Sequence, residues 1–381
     1  MPSRPEHPRL KVLAISSYAG DGGSEISYAA FLAHRPEWVD AKTLLVDDGP
    51  LADRLRGLGF DPAVGHGYRG RPGPRELLRF TRQLRPLLAR EKPDVIWAMG
   101  QKAALLATPA ARLARVPLVW HKVDYSWDRL LARPVAAGVN GVIGVSEAVI
   151  EAIGPLRPRR LLGIVWPQVE LDPGFRASPD PDRPRIGTLA RLVPYKGHHH
   201  IITAAAALAD EFPGLEVVLA GSPDDNYPDY PGELRRLADR LGIAGIVKMP
   251  GFVSPADVLA DLSVFINATY RDADGFGLEG LSGAMLEASW AGVPVVATRG
   301  GGTPEGVLDG VTGTLVEPAD PEGLAVATGR YLADRRLHQA TSDAAARFAR
   351  ERFAPEAASA KLFGLLAEAA GFVEPPGGRG G

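Results

Sequence analysis

The sequence predicts an α/β protein in which two doubly wound parallel-sheet domains follow one another. Short apolar, β-branched runs alternate with helical patterns along most of the chain, as expected of parallel strands that are buried on both faces. The chain has 381 residues, more than the roughly 250–300 residues at which a single core stops growing. The alternation also fades between residues 172 and 184, where Pro, Asp and Ser are frequent, and then resumes.

The same pattern gives the expected domain bounds. Residues 1–170 are predicted to form an N-terminal Rossmann-like domain and residues 185–350 a C-terminal one, joined by a linker at 171–184. Residues 351–371 are predicted to form a C-terminal helix that returns to the N-terminal domain, and the Pro- and Gly-rich residues 372–381 to be disordered. Strands are predicted at Lys11–Ser16, Lys42–Val46, Val95–Met99, Leu118–His121, Val142–Val145, Ile186–Leu189, Glu216–Ala220, Val247–Met249, Val264–Asn267 and Val293–Ala297.

Composition narrows the class of function. Hydrophobic residues make up 45% of the chain and charged residues 23%, which is typical of a folded globular protein. The formal net charge of −2 offers no bulk attraction to nucleic acid, so no nucleic-acid partner is expected. The chain has no cysteine, which excludes disulfides, thiolate metal ligands and a thiol nucleophile. No run reaches the roughly 18 apolar residues of a membrane span, and a cytoplasmic location is expected.

Ligands of open α/β sheets bind beyond the carboxyl ends of the strands, and the first such junction holds Gly22 and Gly23. These glycines allow a ligand to approach the backbone, and Ser24 is suited to capping a helix whose amides would face an anion. The segment lacks the G-x-G-x-x-G order of dinucleotide-binding proteins. This weakens a dinucleotide interpretation, and a bare turn between strand and helix stays open as an alternative because a Gly-Gly pair alone does not exclude it.

Two later junctions carry polar or cationic side chains. His121 ends a predicted strand, although a lone histidine is more often a structural residue. Arg191 and Lys196 follow the strand Ile186–Leu189 and flank a turn that opens a helix. A forked donor, a point charge and a helix N-terminus together suit a pyrophosphate. This interpretation is favoured over a pair of solvated surface charges.

The glycine-rich segment 275–288 holds two carboxylates in otherwise apolar surroundings. Glu279 precedes a predicted helix and Glu287 lies within it. Carboxylates in such surroundings need hydrogen-bond donors, and the hydroxyls of ribose or of a sugar are suitable ones. A further glycine run, residues 299–305, forms another turn suited to an anion.

These motifs, in this order, resemble the retaining family-4 glycosyltransferases of GT-B fold, in which two Rossmann-like domains face each other across a cleft. The resemblance spans nearly the whole chain, and its most specific part runs from Glu279 to Val296. It implies an acceptor side in the N-terminal domain and a donor side in the C-terminal domain. The catalytic residues that it implies are His121, Arg191, Lys196 and Glu279. The donor-binding residues that it implies are Gly22, Gly23, Arg191, Lys196, Gly251, Phe252, Val253, Leu281, Ser282 and Glu287.

The resemblance further implies how the reaction proceeds. A sugar moves from a UDP- or GDP-linked donor to an acceptor hydroxyl with retention, without a cofactor and without a metal. His121 would lie near the transferred sugar, Glu279 would touch its hydroxyls, and Glu287 would accept from the ribose. The acceptor would be a small metabolite such as an aminocyclitol, or a polysaccharide or glycolipid precursor. A GT-B epimerase and a non-catalytic sugar-binding protein stay open as alternatives, and a homodimer is considered.

Several segments depart from the family pattern or carry rival signals. Trp97 and Met99 stand where many members have histidines, and Trp166–Val169 replaces the common Pro-Asn-Gly-Val. The tract His198–His200 is interpreted as structural. Asp272 and Asp274 resemble the metal-binding Asp-x-Asp of another fold and are interpreted as a solvated or sugar-contacting loop. The basic helix predicted at 75–92 is interpreted as a solvated face, with peripheral membrane contact as the alternative.

Overall fold

The computed structural model describes residues 9–65, 72–125, 128–154, 161–272 and 277–373, with no side-chain description for 128–131. These residues form two compact units. The first contains the described residues up to Gln168 together with those from Pro355 onward, and the second comprises Val169–Ala354. Each unit has its own parallel sheet and its own apolar core, so the predicted fold class of two parallel-sheet α/β domains is confirmed.

The elements are named in chain order. The strands are β1 (Leu10–Ser16), β2 (Val39–Leu45), β3 (Ala63–Val64), β4 (Val95–Met99), β5 (Leu118–Lys122), β6 (Gly141–Gly144), β7 (Leu161–Ile164), β8 (Arg185–Leu189), β9 (Glu216–Ala220), β10 (Val247–Gly251), β11 (Val264–Asn267), β12 (Val295–Thr298) and β13 (Gly313–Val316). The helices are α1 (Gly23–Ala33), α2 (Pro50–Gly57), α3 (Pro74–Glu91), α4 (Gln101–Ala114), α5 (Asp128–Gly138), α6 (Glu147–Glu151), α7 (His198–Leu208), α8 (Tyr230–Arg240), α9 (Pro255–Leu259), α10 (Gly283–Ala291), α11 (Thr303–Gly306), α12 (Pro321–Ala333), α13 (Arg335–Arg352) and α14 (Pro355–Ala370).

The two sheets share one strand order over six strands, and the first unit adds a seventh strand at one edge. Within the described residues the first unit has the order β3-β2-β1-β4-β5-β6-β7 and the second β10-β9-β8-β11-β12-β13. The paired strands are parallel in both sheets. The chain reverses its direction of travel across the sheet between β1 and β4 in the first unit and between β8 and β11 in the second. Ligands of doubly wound sheets bind at such switch points.

The first unit's sheet is buried on both faces because its strands present apolar side chains alternately to two cores. Leu10 and Val12 of β1 join one core, and Leu13 and Ile15 join the other. The first core also contains Phe363 of α14, so this C-terminal helix packs with the N-terminal sheet. Burial on both faces is why the strands appear in the sequence as continuous apolar runs.

Some elements differ from those predicted. The short strands β3, β7 and β13 were not predicted, because β3 has two residues and β7 and β13 lie at sheet edges and contain glycine. Strand β12 begins two residues later than predicted, at Val295, since Pro294 has no N–H and only its carbonyl joins the ladder, accepting from Phe265 at 3.0 Å. No helix in the described part of the chain is both long enough and apolar enough to cross a membrane.

Candidate functional site

Three loops meet at the carboxyl edge of the second unit's sheet, following β8, β11 and β12. The β8 and β11 loops are joined by a hydrogen bond from the Tyr270 N–H to the Tyr195 carbonyl at 3.0 Å. The β11 and β12 loops are joined by one from the Gly302 N–H to the Glu279 carbonyl, also at 3.0 Å. Because β8 and β11 are neighbours at the switch point, segments far apart in sequence form one site.

Glycines make this close approach of the loops possible. Gly197 has φ +72°, and a Cβ at this position would lie 2.1 Å from the Ala268 carbonyl oxygen. Gly301 has φ +53°, and its Cβ would lie 2.2 Å from the Glu279 carbonyl oxygen. Both conformations are disfavoured for residues with a side chain, and both contacts are with backbone, which moves less easily than a side chain.

Lys196 and Glu279 form an ion pair at the centre of this edge. The Glu279 carboxylate also accepts from the Asn267 side-chain amide at 3.1 Å and lies 3.3 Å from the Thr269 hydroxyl. Only 17% of the Lys196 side chain and 16% of the Glu279 side chain are exposed. Asn267 and Thr269 were not predicted, although their polar side chains at the end of an apolar strand were a usable signal.

The charge of Lys196 depends on its surroundings. Burial lowers the pKa of its ammonium, and the nearby Arg191 guanidinium lowers it further. The Glu279 carboxylate opposes this shift because it is in direct contact with the ammonium. A phosphate group near Lys196 would stabilise the charged form in the same way.

Arg191 lies on the same edge and is paired with Asp224, which follows β9. The distance from Arg191 Nη1 to Asp224 Oδ2 is 2.6 Å, and 58% of the Arg191 side chain is exposed. Arg191 and Lys196 lie on the same loop between β8 and α7, and the charge of Arg191 helps to lower the pKa of Lys196. Sequence reasoning did not identify Asp224.

Glu287 lies on α10 and is partly buried. Burial raises the pKa of its carboxyl to about 7, and the neighbouring Glu170 carboxylate contributes to the shift. Ionisation of this carboxyl group is costly in the ligand-free protein. It becomes more favourable when hydroxyl groups donate hydrogen bonds to the carboxylate. This agrees with the predicted contact to a ribose, which stays a prediction.

As the pH falls from 8 to 6, we expect protonation of Glu287, whose carboxyl pKa is about 7, to weaken donor binding because the protonated carboxyl accepts hydrogen bonds less well. Protonation of Lys196, whose pKa is lowered to about 7, should strengthen donor binding over the same range. In the ligand-free protein the raised pKa of the Glu287 carboxyl means that folding stability is lost as the pH rises from about 4.5 to about 7. Glu287→Gln should therefore remove the contribution of Glu287 to the pH dependence of donor affinity, leaving that of Lys196, and should raise the melting temperature at pH 8 but not at pH 4. Calorimetry and thermal unfolding measure the two effects, and an unchanged pH profile in the variant would exclude Glu287 from the ribose.

The remaining donor contacts predicted in the second unit lie at the end of β10 and before α10. Gly251 ends the edge strand β10, and Phe252 after it is 67% exposed. Leu281 is buried, and Ser282 precedes the first turn of α10. The assignment of the nucleobase to 251–253 stays a prediction.

The first unit has a pocket at its own switch point, where β1 and β4 end. Its lining includes Tyr18, Ser24, Glu25 and Lys102. Lys102 is 5% exposed and pairs with Asp47 at 3.3 Å. Glu25 is 7% exposed and accepts from the Ser24 hydroxyl at 2.8 Å. The predicted Gly22 and Gly23 begin α1 beside this pocket, whereas Lys102 was not predicted.

His121 lies in the core of the first unit. Its side chain is fully buried, with its ring 5.9 Å from that of Phe31 and 6.2 Å from that of Trp97. Burial lowers its pKa to about 4, so the imidazole is neutral at physiological pH. His121 does not line the pocket described above, and its predicted contact with the transferred sugar stays a prediction.

The histidine tract that could suggest a metal site lies at the start of α7. His198 is fully buried, and His199 Nδ1 lies 3.0 Å from the Tyr230 hydroxyl. Asp272 is described by the structure, whereas Asp274 lies outside the described residues. Among the residues that the structure describes, no three His, Cys, Asp or Glu side chains are grouped so that they could hold a metal ion.

Known proteins share both the sequence pattern and the fold. A family described as glycosyl transferases group 1 matches residues 175–348, and a glycosyl transferase 4-like domain matches residues 22–161. A GDP-mannose-dependent alpha-(1-6)-phosphatidylinositol monomannoside mannosyltransferase of Mycolicibacterium smegmatis is 30% identical over 336 residues, covering 80% of this chain and 86% of that protein. A D-inositol 3-phosphate glycosyltransferase of Streptomyces avermitilis is 33% identical over 234 residues, covering 56% and 49% of the two chains.

The fold matches that of solved glycosyltransferase structures. The crystal structure of Anabaena HepE in complex with UDP and glucose superposes with a TM-score of 0.80 at 24% identity, covering 94% of this chain and 100% of that one. A sucrose-phosphate synthase from Thermosynechococcus elongatus superposes with a TM-score of 0.75 at 16% identity, covering 94% and 99%. The family matches, the extended similarity to the mannosyltransferase and the fold agree, and the chain therefore belongs to the group 1 glycosyltransferases of GT-B fold.

Proposed function

We propose that this glycosyltransferase moves a sugar, with retention, from a nucleotide diphosphate sugar to an acceptor hydroxyl. The observation that carries the proposal is the assembly of Arg191, Lys196 and Glu279 at the switch point of the second unit's sheet. Two neighbouring cations at this position suit a diphosphate. A carboxylate next to them suits the hydroxyls of the attached sugar.

The reaction breaks the bond between the anomeric carbon and the diphosphate oxygen. The acceptor oxygen forms its bond to that carbon on the same face, and the hydroxyl proton leaves with the departing diphosphate. Negative charge grows on the diphosphate as the bond breaks, and Arg191 and Lys196 are preorganised to stabilise it. This route needs no carboxylate nucleophile, in agreement with the resemblance to retaining family-4 enzymes.

The similarity to the mycobacterial mannosyltransferase supports GDP-mannose as the first donor to test. UDP-hexoses are the second choice. They stay in the test because Phe252, within the segment predicted to hold the base, is exposed and would stack on either base. Both possibilities lie within the UDP- or GDP-linked donors that the sequence suggests.

We further propose that the acceptor binds over the switch point of the first unit, where β1 and β4 end beside Glu25 and Lys102. Glu25 would accept from acceptor hydroxyls, and Lys102 would attract an anionic substituent such as a phosphate. The names of the relatives support a cyclitol-containing acceptor, since they act on phosphatidylinositol monomannoside or on D-inositol 3-phosphate. If the acceptor is a lipid, the exposed residues Arg75, Leu78 and Arg79 of α3 provide a face for peripheral membrane contact.

The proposal is tested by incubating the purified chain with GDP-mannose, UDP-glucose or UDP-N-acetylglucosamine, with and without inositol phosphate and phosphatidylinositol. Transfer that requires an acceptor, with the donor's anomeric configuration kept in the product, would support it. Conversion of donor to an isomer without acceptor would indicate an epimerase instead. Tight donor binding without any turnover across the panel would indicate a sugar-binding protein.

Transfer is expected to survive metal chelation, because two side-chain cations already face the proposed diphosphate position. Initial rates should be the same with excess EDTA and with added manganese, within experimental error. Loss of activity in EDTA that manganese restores would contradict this expectation and would direct attention to Asp272 and the residues that follow it.

A further inference from the structure

Asp224 holds Arg191 through a carboxylate whose two oxygens are both engaged. Oδ2 accepts from Arg191 at 2.6 Å, and Oδ1 accepts from the Asn226 N–H at 3.0 Å and from its side-chain amide at 2.8 Å. Only 10% of the Asp224 side chain is exposed. Hydrogen bonds within its own loop therefore fix the carboxylate independently of Arg191.

The end of the sheet brings these two residues together. The Ala190 N–H donates to the Ala220 carbonyl and the Leu192 N–H to the Ser222 carbonyl, both at 2.9 Å, so the ladder between β8 and β9 continues past both strands. Gly221 allows this, because a Cβ there would lie 1.9 Å from the Ala190 carbonyl oxygen. Arg191 and Asp224 are therefore held close together by hydrogen-bonded backbone.

The ion pair leaves Arg191 accessible. More than half of its side chain is exposed, although one terminal nitrogen is bound to Asp224. Burial raises the pKa of Asp224, but the hydrogen bonds from Asn226 and the charge of Arg191 outweigh this effect and lower it overall. Asp224 therefore stays ionised at neutral pH and keeps its hold on one edge of the guanidinium.

We propose that Asp224 is a positioning residue for the transfer reaction, which orients the guanidinium fork of Arg191 toward the departing diphosphate. This inference rests on the proposed function, since it assumes that Arg191 meets the diphosphate. A guanidinium fixed in advance loses less side-chain entropy when it forms hydrogen bonds than a free one does. The benefit is greatest in the transition state, where the charge on the diphosphate is largest.

The test compares Asp224→Asn with Asp225→Asn, which removes the same charge from the exposed neighbouring residue. We expect Asp224→Asn to lower kcat about tenfold, at the lower end of the loss seen when the partner that orients a metal ligand is removed. The donor KM should change little, and Asp225→Asn should behave like the parent. In the Arg191→Ala background, Asp224→Asn should have no further effect on kcat.

Each outcome decides one point. If Asp224→Asn and Asp225→Asn have equal kcat, or if the effects of Asp224→Asn and Arg191→Ala simply multiply, Asp224 does not position Arg191. If Arg191→Ala itself has the parental kcat, the proposed diphosphate site is wrong, whatever Asp224 does. Should Asp224→Asn fail to fold, Asn226→Ala loosens the same carboxylate from an exposed position. Asn226→Ala is expected to lower kcat by a smaller factor than the tenfold expected for Asp224→Asn. A parental kcat in Asn226→Ala would overturn the inference.

Discussion

Replacing Lys196 by alanine is expected to lower kcat by about 100- to 1,000-fold, the usual cost of removing one preorganised donor from a site where charge develops. Lys196 is largely buried, contacts Glu279, and lies beside Arg191 at the switch point of the sheet. Its ammonium would face the departing diphosphate, so its contribution grows as the glycosidic bond breaks. Initial rates with saturating donor measure the effect.

The matched control is Lys42→Ala, which removes an exposed lysine from the first unit. Its kcat should equal that of the parent. If Lys196→Ala also transferred sugar at the parental rate, with an unchanged circular dichroism spectrum, the diphosphate would have to bind elsewhere in the chain.

Glu279→Gln is expected to lower kcat by about 10- to 100-fold. Hydrogen bonds to a charged group contribute about 1.5–3 kcal/mol, and the amide keeps the shape of the side chain but loses the charge and one acceptor. In the ligand-free protein the amide also leaves Lys196 without its counter-ion. The loss should appear in kcat and in donor affinity together, since Glu279 is placed at both the sugar and the ammonium.

Glu211→Gln, at an exposed position of the second unit, is the control for this substitution. A Glu279→Gln chain with parental kcat and donor KM would show that the carboxylate does not meet the sugar. Its role would then be limited to holding Asn267 and Lys196 in place.

Strand-to-helix junctions could be predicted from the sequence because each is a local pattern of apolar run, glycine and helix start. Arg191, Lys196 and Glu279 were identified in this way, as members of separate motifs. Asp224 and Asn267 could not be placed beside them, because the neighbours of a strand depend on sheet order and no local pattern states that order.

The same distinction explains His121. Its position at the carboxyl end of β5 was predictable, since the strand is a clear apolar run. Which face it occupies depends on the pleat and on partners far away in sequence. The structure directs it to the side where Phe31 and Trp97 pack, and burial there keeps its imidazole neutral.

The most direct test of the diphosphate site is calorimetric titration of GDP and UDP, each alongside its nucleoside, into the parent and the Lys196→Ala chain. We expect at least one nucleoside diphosphate to bind the parent and to bind the variant about tenfold more weakly, as the loss of one hydrogen bond to a charged group implies. The corresponding nucleoside should bind both chains equally. Equal affinity of the nucleoside diphosphate for both folded chains would contradict the assignment of the diphosphate to this edge of the sheet.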